Sequence, residues 1–225
     1  NVNAVGLYTH YASAESDTDL SHVQKTHFNQ LIAELKTAGH SFHHIHMNNS
    51  AAMMHEPKSI HNLTRPGLLV YGVLPLGTRR APAILKRHIQ PVLSWKCRVS
   101  LVKDITKGTK LSYGQTFTAP RRMRVATLTA GYGDGYLHSS SGQARVLISG
   151  RSCPILGRIT MDQMLTDVSR VKNAKPGDEV VLIGCQGKQE ITTNQLAKWA
   201  GTIPCETLTA ITYRVRRLYR GTQAA

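Results

Sequence analysis

The pattern of apolar and polar positions changes once along the chain, close to residue 89. Before that point, short apolar runs predict a strand at 5–10, an amphipathic helix at 23–38, a short helix at 51–54, and a turn followed by an apolar strand at 63–72. With a further strand between the two helices, this alternation is typical of βα units around a parallel sheet. A complete eight-stranded barrel needs about 250 residues. The pattern therefore predicts only the closing part of such a barrel.

After residue 89 the spacing becomes that of strands. Apolar and polar positions alternate at 92–99, 144–148 and 179–183, with turn signals between them. One helix is predicted after Thr193, which has the chemistry of an N-terminal cap. The sequence therefore predicts two domains: residues 1–88, with βα texture, and residues 89–225, with a compact, mainly β fold.

Composition and charge narrow the class of protein. The 225 residues include 28 Lys+Arg and 13 Asp+Glu, a formal net charge of +15, which favours anionic partners. The densest basic groups, at 121–124 and 214–217, alternate with apolar residues as edge strands do, and no nucleic-acid motif accompanies them. No apolar run approaches the length of a bilayer span, so we expect a soluble protein without membrane or nucleic-acid partners.

The cysteines and histidines offer little support for a metal site. Four cysteines stand at wide spacing, at 97, 153, 185 and 205, which predicts free thiols in a reducing compartment. Histidines cluster at 40, 43, 44 and 46. His44 and His46 share one face of a strand, but no carboxylate or cysteine joins them at ligand spacing, and we expect no metal there.

The stretch Thr129–Tyr136 combines a predicted strand end with three glycines in five residues. Tyr132 lies between two of these glycines, where its hydroxyl is well placed to meet a partner or substrate. A packed tyrosine in an ordinary glycine-rich loop is the structural alternative. A second stretch, Gly157–Gln163, follows another strand-like segment and carries Met161.

The two stretches, "AGYGDGY" and "GRITMDQ", together resemble the C-terminal domain of alanine racemases, which use pyridoxal phosphate (PLP). Five weaker motifs occur in the matching order: "THYASAESD", "HMNNSAA", "TRPGLLVYG", "LSYGQTF" and "TAITYRVRR". The resemblance covers the whole chain but only part of the family's length. It implies the C-terminal portion of a PLP-binding (β/α)8 TIM barrel over 1–88, followed by a mainly β domain over 89–225.

The resemblance implies a set of cofactor-binding residues. Ser50 matches the serine that binds the cofactor phosphate, and Gly67 and Leu68 match residues that give backbone N–H groups to it. Tyr213 matches a tyrosine that reaches the same phosphate. Arg65 matches the arginine that faces the ring nitrogen; because arginine only donates, it disfavours protonation of that nitrogen.

The resemblance also implies catalytic and substrate-binding residues. Tyr132 matches the catalytic acid/base tyrosine, His10 lies between that tyrosine and Arg65, and Met161 lies beside the substrate carboxylate. The implied reaction interconverts L-alanine and D-alanine, which supplies D-alanine for peptidoglycan. The implied protein is a cytoplasmic homodimer whose subunits share active sites.

One family feature has no match in this sequence. The lysine that holds PLP covalently, and that serves as the second acid/base, belongs to a part of the family's barrel that no segment here resembles. We therefore expect the 225-residue chain to be inactive alone, as a fragment of the enzyme. The alternative is a non-catalytic remnant that keeps the family's interaction or dimerisation surface. Tyr132, His10, Arg65 and Ser50 together favour the enzyme, since a remnant has no physical need for them.

Overall fold

The chain forms two compact units, residues 1–92 and residues 93–225. The computed structural model describes residues 3–56, 59–75 and 87–221. The sequence placed the boundary at 88/89, four residues before the one observed. Within the described ranges, no helix is both long enough and apolar enough to cross a membrane.

The N-terminal unit contains a parallel β–α–β arrangement, as the sequence predicts. Strand β1 (Gly6–Tyr8) pairs in parallel with β2 (His44–His46), and helix α1 (Thr18–Thr37) connects them. The helix begins earlier than its apolar spacing suggested, because the Asp17 carboxylate accepts a hydrogen bond from the Leu20 amide at 2.9 Å. This architecture agrees with part of a (β/α)8 barrel.

Helix α2 (Ser50–His55) follows β2 after a short turn. Asn49 caps it, because its side-chain oxygen accepts hydrogen bonds from the amides of Ala51 and Ala52. Met47 and Ala51 are buried in a small apolar cluster with Phe28 of α1. The packing fixes the end of β2 and the start of α2, which is where several of the implied site residues lie.

The apolar run after Gly67 is helical, so the predicted strand there is wrong. Residues Leu68–Tyr71 form a 3₁₀ helix that ends at Gly72, whose φ of +68° suits glycine. The hydrogen bonds are local: the Val73 amide donates to the Leu68 carbonyl at 3.0 Å. A single parallel bridge between His46 and Leu63 is the point where this segment meets the sheet.

The C-terminal unit is a closed antiparallel β barrel, which confirms the predicted β domain. Its strands are β3 (Trp95–Ile105), β4 (Lys110–Leu111), β5 (Phe117–Thr118), β6 (Met123–Leu128), β7 (Arg145–Ile148), β8 (Arg151–Leu156), β9 (Met164–Asp167), β10 (Glu179–Gln186) and β11 (Gln189–Ile191). Six of them form the ring in the order β10-β3-β6-β9-β8-β7, and β10 pairs with β7 to close it. Strand β11 pairs with β10 outside the ring, and β4 and β5 form a separate two-stranded sheet.

The two basic runs are not edge strands. Residues 123–128 form β6, which pairs with β3 on one side and β9 on the other. Residues 214–217 lie outside the strands. Alternation of charged and apolar residues shows only that one face of a segment is exposed to solvent. A strand inside a closed barrel has such a face although both of its edges are paired.

Two helices follow β11. Helix α3 (Thr193–Ala200) is capped by Thr192, one residue before the predicted cap, through a reciprocal pair of hydrogen bonds with Gln195. Helix α4 (Pro204–Thr209) was not predicted from the sequence. It begins at a proline in the first turn and has no side-chain cap, so its sequence signal is weak.

Candidate active site

Arg65 is the centre of a polar cluster in the N-terminal unit. Its guanidinium donates to the Thr9 carbonyl at 2.9 Å and to the Met47 carbonyl at 3.4 Å. It also contacts the Nδ1 atom of His10 at 3.1 Å and the Nδ1 atom of His46. Because arginine can only donate, both imidazoles are acceptors at Nδ1. The cluster therefore places one fixed positive charge against the Nδ1 edges of two imidazole rings.

His46 is a member of this cluster that sequence reasoning assigned to no role. Its ring stacks on Tyr8, with centroids 5.2 Å apart and planes 5° from parallel. Burial, then the charges of Arg65 and His44, lower the pKa of His46 below its ordinary value. The alternation of His44 and His46 in the sequence shows that they share one face of a strand, but it does not show that His46 contacts Arg65. Within the described ranges, no group of three or more His, Cys, Asp or Glu side chains is arranged to hold a metal ion.

Ser50 and the turn at Gly67 form a small cradle of hydrogen-bond donors. The Ser50 hydroxyl oxygen accepts from the amides of Gly67 at 2.8 Å and Leu69 at 3.3 Å. A Cβ atom added at Gly67 would lie 3.8 Å from that oxygen, which is an ordinary van der Waals contact. Leu68 begins the 3₁₀ helix between these two amides. The two amides donate to the Ser50 oxygen here, and a hydroxyl with adjacent amides is the uncharged donor set that suits a phosphate group.

In the C-terminal unit, the loop of Tyr132 is bound to the segment of Met161. The Tyr132 amide donates to the Thr160 carbonyl at 3.0 Å, and the Gly133 amide donates to the Met161 carbonyl at 2.8 Å. The Tyr132 side chain is 47% exposed. Its ring makes a T-shaped contact with the His138 ring, with centroids 6.1 Å apart. The two stretches that the sequence singled out are therefore direct neighbours in space.

Gly131 is required by this contact rather than by its own backbone angle. Its φ of −155° is open to any residue, but an added Cβ would overlap the carbonyl oxygens of Thr160 and Met161. We expect Gly131→Ala to lower the free energy of unfolding by about 2–3 kcal/mol, because overpacking forces the loop away. Urea denaturation of the 225-residue chain measures this difference.

Gly142→Ala is the matched control for this substitution. Gly142 has a φ of +71° but open space around its missing side chain, so alanine there adds strain without a clash. We expect it to cost about 1 kcal/mol. A loss at Gly131→Ala no larger than the loss at Gly142→Ala would contradict the predicted clash with the Met161 segment.

Arg214 joins both stretches to the segment that carries Tyr213. Its guanidinium forms ion pairs with Asp134, in the Tyr132 loop, and with Asp162, next to Met161. The Thr212 hydroxyl donates to the Gly133 carbonyl at 2.9 Å and holds the same segment in place. Tyr213 is 96% exposed, so its ring is not part of the core of this unit.

Tyr113, within the "LSYGQTF" motif, has a geometry that the sequence did not reveal. Its neighbours Ser112, Gly114 and Gln115 have φ values of +69°, +68° and +53°. Ser112, with a ψ of 172°, lies in a region that is almost restricted to glycine. Tyr113 itself is 72% exposed. Such strain costs about 1–3 kcal/mol per residue and occurs mainly where function requires a fixed geometry.

The Tyr113 turn is held against the Met161 segment by its strained serine. The Ser112 hydroxyl donates to the Arg158 carbonyl at 2.7 Å, and a Cβ added at Gly157 would lie only 2.6 Å from the Ser112 Cβ. Tyr113 and Tyr132 therefore both border the stretch 157–163. The turn composition Ser-Tyr-Gly was visible in the sequence, but its backbone angles were not.

The implied residues thus form three local groups. His10 and Arg65 are in contact, and Ser50 meets the turn of Gly67 and Leu68, all within the N-terminal unit. Tyr132 and Met161 belong to adjacent segments of the C-terminal unit, and Tyr213 precedes the arginine that ties those segments together.

Comparison with known families gives the same match in both units. The model of the alanine racemase C-terminal domain matches residues 92–219, and that of the alanine racemase N-terminal domain matches residues 1–75. Alanine racemase from Carboxydothermus hydrogenoformans is 41% identical over 220 residues, which is 97% of this chain and 59% of that protein. Alanine racemase from Symbiobacterium thermophilum is 41% identical over 226 residues and again 59% of its length.

Solved structures of alanine racemases match the same two units. Alanine racemase from Streptomyces coelicolor A3(2) superposes with a TM-score of 0.88 at 33% identity, over 96% of this chain and 56% of that one. Alanine racemase from Bacillus anthracis with bound L-Ala-P superposes with a TM-score of 0.82 at 32% identity, over 93% and 53%. The chain therefore spans somewhat more than half the length of the relatives that it matches.

Proposed function

Because this chain belongs to the alanine racemase family, we propose that it is part of a PLP-dependent enzyme that interconverts L-alanine and D-alanine. It spans 59% of the length of its relative from Carboxydothermus hydrogenoformans. The activity is therefore proposed for the longer protein, meaning this chain joined to the remaining part of that length. Cytoplasmic supply of D-alanine for peptidoglycan is the role we propose for it.

The observation that carries the proposal is the pairing of the Ser50 cradle with the Arg65 cluster. The two lie on the same two segments: Asn49 and Ser50 follow β2, and Arg65 and Gly67 form the next turn. The cradle offers amide and hydroxyl donors that suit the phosphate of PLP without a cationic side chain. Arg65 would then be the donor facing the ring nitrogen, because its guanidinium cannot give up a proton.

The cofactor, when bound, supplies a conjugated ring that withdraws the electrons left behind when the α-proton is removed. Arg65 limits this withdrawal, because it disfavours a proton on the ring nitrogen. A weaker electron sink suits the simple removal and return of one proton. His10 contacts Arg65 through Nδ1 at 3.1 Å, and its Nε2 atom lies 3.4 Å from the side-chain nitrogen of Asn49, on the side away from the arginine.

The acid/base role requires a tyrosine hydroxyl that reaches beyond its own loop. The resemblance assigned this role to Tyr132, but two observations favour Tyr113. Tyr113 is 72% exposed against 47% for Tyr132, and Tyr132 rests on the His138 ring. The strained backbone around Tyr113 is the second observation, because such strain is found mainly where function requires a fixed backbone geometry. We therefore propose Tyr113 as the acid/base and Tyr132 as a residue that lines the substrate side.

A tyrosine hydroxyl ordinarily has a pKa near 10, so a base near neutral pH needs positive charge close to it. Arg65, acting through His10, is the charge that we propose. Met161 would lie beside the substrate carboxylate, and Tyr213 would reach the cofactor phosphate. The family resemblance further supports a homodimer in which the tyrosine and Met161 of one subunit serve the other's cofactor.

Replacing Ser50 tests the cradle directly. In the longer protein, Ser50→Ala should weaken PLP binding by about 10–100-fold, because a hydrogen bond to a charged group contributes about 1.5–3 kcal/mol. Absorbance titration of the apoprotein with PLP measures the dissociation constant. Titration with pyridoxal, which has no phosphate, should show little difference between the variant and the parent.

Ser41→Ala is the control, since Ser41 is exposed in the same unit. It should leave the affinity for PLP unchanged. An equal loss of pyridoxal affinity in Ser50→Ala would contradict the phosphate role and would point to a distorted α2 instead.

A further inference from the structure

The positive charge of the chain is concentrated in the C-terminal unit, where the proposed function makes no use of it. Residues 93–225 hold 20 of the 28 Lys+Arg and 8 of the 13 Asp+Glu, a net charge of +12 out of +15. The cradle proposed for the cofactor phosphate consists of a hydroxyl and backbone amides in the other unit. The excess charge therefore needs a separate explanation.

Part of this charge surrounds one cleft on the outside of the barrel. The cleft has a volume of about 450 Å³ and is bordered by the β7–β8 hairpin and the segment after β9. Four arginines line it, namely Arg121, Arg145, Arg151 and Arg170. Asp167 is the one carboxylate among its lining residues within the described part of the chain. The lining therefore carries a net charge of about +3 around a small volume.

Two of these arginines are held in place by the fold. Arg121 forms an ion pair with Asp167 at 3.2 Å. Arg145 donates from Nε to the Ser152 hydroxyl at 2.7 Å and from Nη2 to the Ser152 carbonyl at 3.0 Å. Fixed guanidinium groups lose little conformational entropy when they bind a ligand. They form the pre-organised side of the cleft.

The other two arginines have guanidinium N–H donors that are not used within the described structure. For residues 3–56, 59–75 and 87–221, the hydrogen bonds include no acceptor for the side chain of Arg151 or Arg170. Burial, then the charge of Asp167, raises the pKa of the Cys153 thiol to about 11, and the charges of Arg145 and Arg151 oppose that rise. Because all four guanidinium groups line one cleft of about 450 Å³, they repel one another when it holds only water and monovalent ions.

We propose that this cleft binds a small anion that carries two linked phosphate groups. Guanidinium groups match phosphate oxygens with paired, charge-assisted hydrogen bonds, and a diphosphate spans two such groups at once. The cleft volume falls within the range of small-molecule sites. Neutralising the repulsion would stabilise the barrel, so binding and stability are linked. This site is independent of the proposed racemase activity.

The test uses inorganic pyrophosphate and the 225-residue chain. Pyrophosphate should raise the midpoint of thermal unfolding by several degrees more than sodium chloride at equal ionic strength. In Arg151→Gln/Arg170→Gln this excess should disappear, and calorimetric titration should show at least a tenfold weaker affinity. Without ligand, the double variant should unfold at the same temperature or higher, because a like-charge cluster has been relieved.

Arg216→Gln/Arg220→Gln is the matched control, with the same change in net charge at exposed positions outside the cleft. It should keep the full response to pyrophosphate. If both double variants lose the response equally, or if sodium chloride reproduces it, screening of the net charge explains the effect and the cleft is not a site. Should the Arg151/Arg170 variant fail to fold, Arg170→Gln alone gives the same comparison at an exposed position.

Discussion

Tyr113→Phe is expected to slow alanine racemisation by the longer protein by about 10²–10⁴-fold, which is the usual effect of losing a positioned acid/base. Tyr132→Phe is expected to slow it by less than about tenfold. Both substitutions remove only a hydroxyl and keep the ring, so packing is preserved in each. The pair is matched because both tyrosines border the stretch 157–163 of the barrel.

The sharper expectation concerns the two faces of the substrate. Inversion of an α-carbon needs one acid/base on each face, and the resemblance implies that the family's lysine would serve the D-alanine face. In deuterated water, Tyr113→Phe should still exchange the α-proton of D-alanine, while exchange from L-alanine collapses. Proton NMR of each enantiomer measures the two rates separately, and PLP absorbance confirms that the cofactor site is occupied.

The opposite result would restore the first assignment. If Tyr132→Phe produced the face-specific loss and Tyr113→Phe did not, the catalytic hydroxyl would belong to the glycine-rich loop, as the resemblance suggested. If neither variant lost exchange, the strain around Tyr113 would have a structural cause, and the proposed acid/base would be wrong.

Arg65→Gln should have the second largest effect, because this side chain serves four partners at once. The carbonyls of Thr9 and Met47 lose a charged donor, and the Nδ1 atoms of His10 and His46 lose theirs. With charge-assisted bonds at about 1.5–3 kcal/mol each, and partial replacement by water, we expect a loss of about 3 kcal/mol in unfolding free energy. Racemisation should fall at least 10²-fold, since His10 loses its orientation.

The pKa of His46 provides a readout that general damage would not reproduce. Burial lowers it first, and the charge of Arg65 is the next cause, so Arg65→Gln should raise it part of the way toward 6.5. In the parent, the folded pKa lies below the unfolded one, so stability is complete above about pH 6.5 and declines as pH falls toward the folded value. The variant should show a weaker decline.

Arg87→Gln makes the same change of charge at an exposed arginine of the N-terminal unit. It should alter neither the His46 titration, followed by NMR, nor the rate. An unchanged His46 pKa in Arg65→Gln would contradict the contact between these two side chains.

Regular spacing was enough to predict much of the fold. The helical period predicted α1, and apolar runs between turn signals predicted β7 and β10, in which consecutive residues are buried on both faces. Leu68–Tyr71 was misjudged, since four apolar residues between two glycines fit a strand or a tight helix equally well. Closure of the barrel was out of reach, because β10 pairs with β3, β7 and β11, and pairing between distant segments leaves no periodic signal.

The candidate site shows the same limit at the level of single residues. Motifs brought Ser50, Gly67 and Arg65 to attention, but the contacts of Arg65 with Thr9 and His10 depend on tertiary structure that no motif shows. The importance of Tyr113 rests on backbone angles at Ser112 and Gln115, which serine and glutamine adopt only under tertiary constraint. No composition rule predicts such angles.

The position of Arg214 between two carboxylates restricts the order in which this region can change by mutation. Loss of Arg214 leaves Asp134 and Asp162 facing each other as like charges, whereas loss of one acid leaves the other ion pair intact. The charge balance of this region therefore tolerates the loss of either acid more readily than the loss of the arginine. Three loops that are far apart in the sequence are thereby joined through one side chain.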